Sequence, residues 1–408
     1  MLKRVISLLL LACLLMTGLC GCETYDNFIS AFFPEQNSVP VPVEETENIK
    51  IGVFEPLTGD DAQAASEEIA GIELAHDLFP TVLGKDVELV YGDNESDDSI
   101  AADVAQQLVD SGVSMVLGSY RNVLSLAGAD VFTASRTPAI TITCTNPLIT
   151  QSNNYYSRAC FIDAYQGQSA ARYAYGRFKT DWFTIFIMDG DDYGSTLAEQ
   201  FEEEISLLTG NDYSVATVSF PGSTEDFSFY LEKLSIMRTG PIFFPCDAEL
   251  GSKVIKQAVE KGYDFNWIGC SKWNGMTENA AAVPDETEAP DLSFLNGVAY
   301  VTDYSSDESL SEMTEIFRGA YAAKYGDDVV PGKNVALGFD AYLLALEGIS
   351  KAGRSEAGTL IANKLTQIKG FAGATGSITM NSKGDPTKDV VINIIQNGEI
   401  IAGYTVTQ

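Results

Sequence analysis

One histidine, His76, stands among the 408 residues, and this scarcity limits the chemistry that the side chains can perform. An imidazole relay and a metal site with several histidine ligands are nearly excluded. The sequence contains no GxSxG motif, no P-loop and no GxGxxG motif after a strand. Neither a serine triad nor a nucleotide cofactor therefore has support. We expect a protein that is not an enzyme and that carries no catalytic residue, metal or cofactor.

Two acidic loops begin like calcium-binding loops but fail at the positions that hold the ion. An EF-hand loop needs an oxygen ligand at its fifth position and a bidentate glutamate at its twelfth. In the loop that starts at Asp189 these positions carry Tyr193 and Gln200, and in the loop that starts at Asp93 the twelfth position is Val104. The sequence therefore predicts no calcium site, and the second cluster is better explained as a helix cap.

Polar residues follow two apolar strands at their carboxyl ends, which is where open α/β sheets bind ligands. Residues 118–125, Gly-Ser-Tyr-Arg-Asn-Val-Leu-Ser, join a strand to a helix, and the N–H groups of a helix start favour an anion. Residues 141–147, Thr-Ile-Thr-Cys-Thr-Asn-Pro, place hydroxyl groups near the same edge. Such turns are often only helix caps, but two of them at adjacent strand ends predict a ligand pocket.

Alternating strands and helices must position these loops. From Ile49 onward, short apolar strands alternate with amphipathic helices, and the rhythm restarts with the helix predicted at 165–178. Fully apolar strands separated by helices indicate parallel sheets covered on both faces. We therefore predict an α/β fold of two Rossmann-like lobes. They are followed by three further helices, near 309–325, 336–352 and 356–368, and by a hairpin that turns at Asn397-Gly398.

Charge and length restrict the class of protein further. Asp and Glu number 57 against 25 Lys and Arg, which gives a net charge of −32 at pH 7. This excess of acid repels nucleic acid and anionic lipid surfaces, so we expect no nucleic-acid partner. Hydrophobic residues make up 45% of the chain, so a sizeable core can form. A length of 408 residues favours two lobes over one domain.

The amino terminus has the layout of a secretory signal, with two basic residues before an apolar run that is short for a membrane span. Its end, Leu-Cys-Gly-Cys at 19–22, resembles the lipobox of bacterial lipoproteins, in which cleavage precedes the last cysteine and a lipid is attached to it. We predict a signal peptide at residues 1–21, lipid attachment at Cys22 and an extended tether at 22–48. The predicted location is the outer face of the cytoplasmic membrane. An ordinary signal peptide with an incidental cysteine is the alternative.

Four further cysteines, Cys144, Cys160, Cys246 and Cys270, have no metal-like spacing. An exported protein can form disulfides, but we expect small buried thiols at strand ends. Cys246 with Cys270 is the pair that merits a test, because both follow strands that could be neighbours.

Seven segments of the chain carry a family resemblance. They begin at 51, 71, 116, 137, 158, 189 and 336, and they read IGVFEPLTGDDAQ, GIELAHD, VLGSYRNVLSLAGADVF, TPAITITCTNPLIT, RACFIDAYQGQSAA, DGDDYGSTLAEQF and ALGFDAYLLA. They resemble the branched-chain amino-acid-binding proteins, the Leu/Ile/Val receptors of ABC importers, which have the type I periplasmic-binding-protein fold. The resemblance extends over about residues 49–408.

This resemblance implies two lobes that are joined by three hinge crossovers and close over a ligand. The crossovers are expected near 162, 302 and 387. The N-terminal lobe would comprise residues 49–162 plus 303–386, and the C-terminal lobe residues 163–302 plus 387–408.

The resemblance also implies which residues form the binding site. The family's serine that holds the ligand carboxylate falls on Asn122, and the pair after the next strand falls on Thr143 and Thr145. The pocket tyrosine of the second lobe falls on Tyr193, and the acid at the first crossover matches Asp163. All five are expected to belong to the site.

Three positions depart from the family pattern, and one of them is Ala64, which stands near the place of the aromatic residue that caps the ligand. Ser271 stands near the place of the glutamate that binds the ligand ammonium, and Asp247 could substitute for that glutamate, because a buried ammonium without a partner is very costly. Arg121 adds a cation beside the carboxylate site, where it either faces solvent or selects a second acidic group. The ligand implied is thus small, polar and amino-acid-like rather than leucine itself.

The function that the resemblance implies is a monomeric solute-binding lipoprotein that delivers its ligand to the permease subunits of an ABC importer. A ligand-sensing receptor component with the same fold, binding an amide, an acid or another small polar solute, is the alternative. A secreted hydrolase is disfavoured by the missing triad and metal constellations.

Overall fold

The computed structural model describes residues 48–211, 214–237, 240–281, 291–306 and 310–406. The predicted signal peptide, Cys22 and the tether as far as residue 47 lie outside the described residues. Two large sheets form the centres of two α/β lobes, and a small third sheet packs against the core of the first lobe.

The first sheet contains six strands. They are β1 (Ile49–Glu55), β2 (Thr81–Val82), β3 (Lys85–Asp93), β4 (Met115–Gly118), β5 (Ala139–Thr141) and β6 (Tyr156–Arg158). Their order in the sheet is β2-β3-β1-β4-β5-β6. All pairings are parallel except that of β2 with β3, which is antiparallel.

Four helices connect these strands. They are α1 (Ala62–Leu78), α2 (Asp98–Asp110), α3 (Asn122–Ser135) and α4 (Leu148–Gln151). The Asp97 side chain accepts a hydrogen bond from Ser99 N at the start of α2, so the helix cap predicted for the acidic cluster is confirmed.

The second sheet contains seven strands. They are β7 (Phe183–Met188), β8 (Val215–Phe220), β9 (Ile242–Phe243), β10 (Trp267–Gly269), β11 (Ala299–Thr302), β15 (Val390–Gln396) and β16 (Glu399–Val406). Their order is β16-β15-β11-β10-β9-β7-β8, and only the pairings that involve β15 are antiparallel. Asn397 and Gly398 both have positive φ values, 55° and 78°, which confirms the predicted hairpin turn between β15 and β16.

Five helices accompany the second sheet. They are α5 (Asp163–Phe178), α6 (Asp192–Thr209), α7 (Ser228–Ile236), α8 (Ala248–Glu260) and α9 (Met276–Ala281). Short 3₁₀ turns at Ser271–Trp273 and Ser293–Leu295 complete this lobe.

After β11 the chain returns to the first lobe. This part contains α10 (Glu312–Tyr325), α11 (Lys333–Ala352), α12 (Gly358–Leu365) and the antiparallel strands β12 (Phe371–Gly373), β13 (Gly376–Met380) and β14 (Pro386–Thr387). The helix α11 packs closely on α1, because Gly71 of α1 lies so near that a Cβ there would be 2.0 Å from the Val335 carbonyl oxygen.

Both faces of the parallel strands are buried, which explains their apolar sequences. On β1, Ile51 and Val53 belong to the core shared with α11, whereas Phe54 points to the opposite core and packs against Phe132 with ring centroids 5.6 Å apart. The second sheet is likewise covered by one core on each face.

The chain passes between the cores of the two lobes three times. The first passage follows Cys160, the second lies between Val301 and Tyr304, and the third precedes Val390. The predicted fold class, two α/β lobes with parallel strands and three crossovers, is confirmed.

The four cysteines are buried thiols without a disulfide. The strands β9 and β10 are neighbours, as expected, and Cys270 Sγ donates to the Cys246 carbonyl oxygen at 3.4 Å. The expectation of buried thiols at strand ends is therefore confirmed.

Candidate functional site

A cavity of about 550 Å³ lies between the two lobes, where strands of both sheets end. This volume is in the range of small-molecule sites. Its lining residues are Tyr120, Arg121, Asn122, Thr143, Cys144, Thr145, Tyr193, Asp247, Ala248, Glu249, Ser271, Lys272, Asn274, Lys333 and Asn334. Seven of the eight site residues expected from the sequence are thus brought together, and Asp163 is the exception.

The loop that follows Gly118 forms the end of the cavity on the first lobe. Gly118 has a φ of 112°, and a Cβ there would lie 2.2 Å from the Phe54 carbonyl oxygen, so only glycine fits without a backbone shift. Tyr120 N donates to Glu55 Oε2 at 2.7 Å, which holds the loop on β1. The loop leads into α3, whose first residue, Asn122, lines the cavity. The start of α3, where backbone N–H groups have no partner within the helix, therefore lies at the cavity wall at Asn122.

The loop after β5 adds two threonines to the same wall, as expected. Thr143 Oγ1 donates to Glu68 Oε1 at 2.5 Å. Asn146 N donates to Asn122 Oδ1 at 3.4 Å, so the β5 loop and the start of α3 are joined. The Thr143 hydroxyl is donated to Glu68, so the donors at this end of the cavity are the Thr145 hydroxyl, the Asn122 amide and backbone N–H groups. Such a donor set suits a carboxylate.

Gln166 is a fully buried residue of α5 that organises the second-lobe wall. Its Oε1 accepts hydrogen bonds from the Tyr193 hydroxyl at 3.2 Å and from Ser271 N at 3.0 Å. Its Nε2 donates to Asp163 Oδ1 at 3.4 Å. Burial raises the pKa of Tyr193 well above its ordinary value, so the hydroxyl keeps its proton and donates.

Asp163 is buried at the start of α5, and it supports the cavity rather than lining it. Its backbone N donates to the Thr145 carbonyl oxygen at 3.2 Å, which ties the first crossover to the β5 loop. Burial raises the pKa of Asp163, and the Thr145 side chain and the charges of Arg158 and Lys272 oppose that rise. Asp163 therefore acts on the cavity through Gln166 and Thr145.

Asp247 and Ser271 occupy the second-lobe rim. Asp247 is exposed and caps α8, where its Oδ1 accepts from Leu250 N at 2.8 Å. Ser271 is buried and begins the 3₁₀ turn two residues after the end of β10. The Asp247 carboxylate is thus partly engaged by its own helix before any ligand arrives.

Arg121 lies at the first-lobe rim, and its side chain is 49% exposed. Its Nη1 forms an ion pair with Asp61 Oδ2 at 2.9 Å, and this hydrogen bond raises the pKa of the guanidinium. Of the two roles left open for Arg121, the geometry favours the solvent-facing one, because the side chain is half exposed and its charge is already paired with Asp61.

Glu55 and Glu68 form a fully buried carboxyl pair behind the first-lobe wall. Burial raises the pKa of Glu68 to about 7. Burial and the neighbouring Glu68 raise the pKa of Glu55 well above its ordinary value. The pair touches the cavity wall through Tyr120 N and Thr143 Oγ1.

Two lysines reach the cavity from opposite lobes. Lys272 Nζ lies 3.8 Å from the centre of the Tyr193 ring. Lys333 is the first residue of α11, and its Nζ donates to the Ser271 carbonyl oxygen at 3.4 Å. Both ammonium groups therefore contact the cluster that Gln166 organises.

Sequence reasoning missed Gln166, Glu68, Lys272 and Lys333. A polar residue on an amphipathic helix is usually solvated, so nothing local marked Gln166 or Glu68 as buried. Lys272 directly follows a predicted site residue, and Lys333 precedes the residue at which the helix was expected to begin. Lys333 was missed because a sequence pattern locates the start of a helix only to within a few residues.

The part of the chain that the structure covers contains neither a cluster of metal-ligating side chains nor a membrane-spanning helix. No group of three or more His, Cys, Asp or Glu side chains there could hold a metal ion. Among the same residues, no helix is both long and apolar enough to cross a bilayer.

Comparison with known proteins gives a consistent result. The model of a family described as periplasmic binding protein matches residues 48–396. The Leu/Ile/Val-binding protein BraC3 of Rhizobium johnstonii is 25% identical over 345 residues, which cover 83% of this chain and 89% of that protein. A leucine-, isoleucine-, valine-, threonine- and alanine-binding protein of Pseudomonas aeruginosa is also 25% identical, over 83% of this chain and 87% of that protein.

Solved structures resemble the chain over nearly all of its described length. The leucine-binding protein LivK of Thermotoga maritima superposes with a TM-score of 0.72 at 29% identity and covers 88% of this chain and 99% of that one. A solute-binding protein of R. palustris in complex with benzoate superposes with a TM-score of 0.67 at 16% identity, over 89% of this chain and 98% of that one. The second likeness concerns the fold alone.

Proposed function

The chain belongs to the periplasmic binding protein family, and on this premise we propose that it is the extracytoplasmic solute-binding component of an ABC importer. It captures a small amino-acid-like ligand between its two lobes and presents it to the permease subunits. The observation that carries this proposal is the cavity between the lobes, which gathers seven residues expected from the sequence and has the volume of a small-molecule site.

The roles of the wall residues follow from their donors and acceptors. The Asn122 amide, the start of α3, the backbone N–H of Thr143 and the hydroxyl group of Thr145 hold the ligand carboxylate, since the Thr143 hydroxyl is donated to Glu68. Tyr193 and Ser271, fixed by Gln166, close on the ligand from the second lobe. The second oxygen of the Asp247 carboxylate is the acceptor for a ligand ammonium group.

Ligand capture proceeds by hinge closure about the three crossovers. The lobes proposed are residues 49–162 plus 303–386 and residues 163–302 plus 387–408. Closure buries the charged ends of the ligand against backbone dipoles and needs no chemical step. The protein acts as a monomer that is held at the outer face of the cytoplasmic membrane by a lipid on Cys22.

Ligand-dependent thermal stabilisation of the purified protein tests this function. A screen against amino acids, small amides, dicarboxylates and nucleosides should find a solute that raises the melting temperature by mass action. At a ligand concentration about 100 times Kd, the stabilisation is about 2.7 kcal/mol. We expect Asn122→Ala and Thr145→Ala each to weaken binding about tenfold or more, because each removes a contact to the ligand carboxylate.

Thr81→Ala is a matched control, since Thr81 is exposed on β2 and does not line the cavity. It should leave the shift unchanged. A screen in which none of these solutes stabilises the protein, or a shift that survives both cavity substitutions, would contradict the proposal. Transport of the identified solute by a permease that is encoded beside this protein would distinguish import from ligand sensing.

A further inference from the structure

The charges that line the cavity are opposite in sign to the charge of the whole chain. Formal net charge is −32, yet the lining contains three cations, Arg121, Lys272 and Lys333, against two acids, Asp247 and Glu249. Arg121 is paired with Asp61, and Asp247 is engaged as a helix cap. The two lysines are therefore the cationic groups that distinguish this cavity.

Lys272 and Lys333 converge on one end of the cavity although they come from different lobes. Lys272 contacts the Tyr193 ring, and Lys333 contacts the Ser271 carbonyl oxygen. Tyr193 and Ser271 are both bonded to Gln166, which places the two contacts at a single cluster. Among the ion pairs within the described ranges, neither lysine has a carboxylate partner at 4.0 Å or less.

Two buried acids, Glu68 and Asp163, interact electrostatically with Lys333 and Lys272, and the exposed Glu67 accepts a hydrogen bond from Asn334, the neighbour of Lys333. Burial raises the pKa of Glu68 to about 7 and opposes the ionisation of Asp163 by raising its pKa. The exposed acids of the rim, Asp247 and Glu249, lie in the first turn of α8 or at its cap, where the helix dipole favours them. Closure over a ligand ammonium at this end would thus set a third cation beside two others, which is unfavourable.

An anionic ligand group at this end of the cavity, beside Lys272 and Lys333, would instead be favoured. Closure brings Lys333 of the first lobe and Lys272 of the second lobe to the same carboxylate, so the ligand itself joins the lobes through charge-assisted hydrogen bonds. The other end of the cavity, formed by the start of α3 with Thr143 and Thr145, is already suited to a carboxylate. The cavity thus has an anion-binding end on each side.

We propose that the solute carries two carboxylates, as an acidic amino acid or a small dicarboxylate does, and that Lys272 and Lys333 bind the second carboxylate. This inference rests on the proposed solute-binding function and specifies the ligand class. It also assigns to the lysine pair the selection of a second acidic group that sequence reasoning considered for Arg121.

Titration calorimetry with matched ligands tests the lysine pair. L-glutamate and L-glutamine have nearly the same shape and differ in one charge, as do glutarate and its monoamide. We expect the acidic member of a pair to bind about tenfold or more tightly than the amide, and this preference to decrease as salt is added. L-leucine should bind more weakly still.

Substitution of the lysines should remove the preference for the acidic member of each ligand pair. Lys272→Met and Lys333→Met should each bring the two members of a pair to within about threefold of one another. Lys272→Arg, which keeps the charge, should retain most of the preference. Lys351→Met is the control, because Lys351 lies at the far end of α11 and pairs with Glu347 on the surface.

The outcomes separate this inference from the proposed function. Tight binding of a neutral solute that depends on Asn122 and Thr145 but not on the lysines overturns the two-carboxylate site and leaves the solute-binding function standing. Failure of every dicarboxylate and acidic amino acid to bind likewise overturns the inference. If a lysine variant folds poorly, the salt dependence of the preference of the wild-type protein for the acidic ligand still tests the inference.

Discussion

Glu68 is a buried carboxyl group whose proton is lost near neutral pH, because burial raises its pKa from 4.5 to about 7. A group with a higher pKa in the folded protein than in the unfolded chain binds its proton more tightly when folded. Its contribution to stability is complete below the unfolded value of 4.5 and is lost as the pH rises through the folded value of about 7.

The substitution Glu68→Gln should therefore flatten part of the pH dependence of stability. One pKa unit corresponds to about 1.4 kcal/mol, so the wild-type protein should lose about 3 kcal/mol more than the variant between about pH 4.5 and pH 8. Urea unfolding at several pH values measures this difference. Glu202→Gln is the control, because Glu202 is an exposed residue of α6, and its curve should run parallel to that of the wild-type protein.

The site residues that lie in loops after strand ends could be predicted from the sequence. Asn122, Thr143 and Thr145 follow strand ends, and strand ends meet at one edge of a parallel sheet, so their side chains line one cavity. Gln166 lies on a helix, and its role depends on contacts with Tyr193 and Ser271 that are distant in sequence. No local pattern reports such contacts.

At the scale of elements, apolar strands were predictable and a polar strand was not. β6 reads Tyr-Ser-Arg, yet all three residues are buried. The Arg158 guanidinium is satisfied there by Asp385 at 2.7 Å and by the carbonyl oxygens of Cys144 at 2.8 Å and Asn146 at 2.9 Å. A buried charge of this kind requires partners from other elements, which the hydrophobic pattern of a strand does not contain.

The contact between α1 and α11 is an element-scale constraint that rests on small residues. A Cβ at Gly71 would lie 2.0 Å from the Val335 carbonyl oxygen and 2.7 Å from Phe339 N, both of which are backbone atoms. Gly71→Ala should therefore destabilise the protein by about 1–3 kcal/mol, although alanine favours helix more than glycine does.

Gly319→Ala provides the comparison, because Gly319 lies within α10 and a Cβ there would meet no atom within 4 Å. It should stabilise the protein by up to about 1 kcal/mol through helix propensity alone. The free energy of unfolding in urea measures both variants. If Gly71→Ala and Gly319→Ala changed the free energy of unfolding equally, α1 and α11 would be able to move apart at little cost in free energy.

At the scale of the whole molecule, one buried ion pair connects the three crossovers. Asp303 follows β11 at the second crossover, and its Oδ1 accepts a hydrogen bond from Phe161 N at the first crossover, at 3.2 Å. Lys388, at the third crossover, places its Nζ 3.1 Å from the same oxygen. Both side chains are at most 1% exposed. Asp303 thus holds the three crossover segments together.

Lys388→Met should destabilise the protein strongly, because it leaves the Asp303 charge buried without its partner. Loss of one member of a buried pair costs about 3–5 kcal/mol, far more than a surface lysine contributes. Lys383→Met, five residues away in a loop and exposed, should change the free energy of unfolding by less than about 0.5 kcal/mol. The double variant Asp303→Asn/Lys388→Met should recover part of the loss, since it removes both charges. Additive effects of the two substitutions in urea unfolding would mean that the pair is not coupled and that the crossovers are held by packing alone.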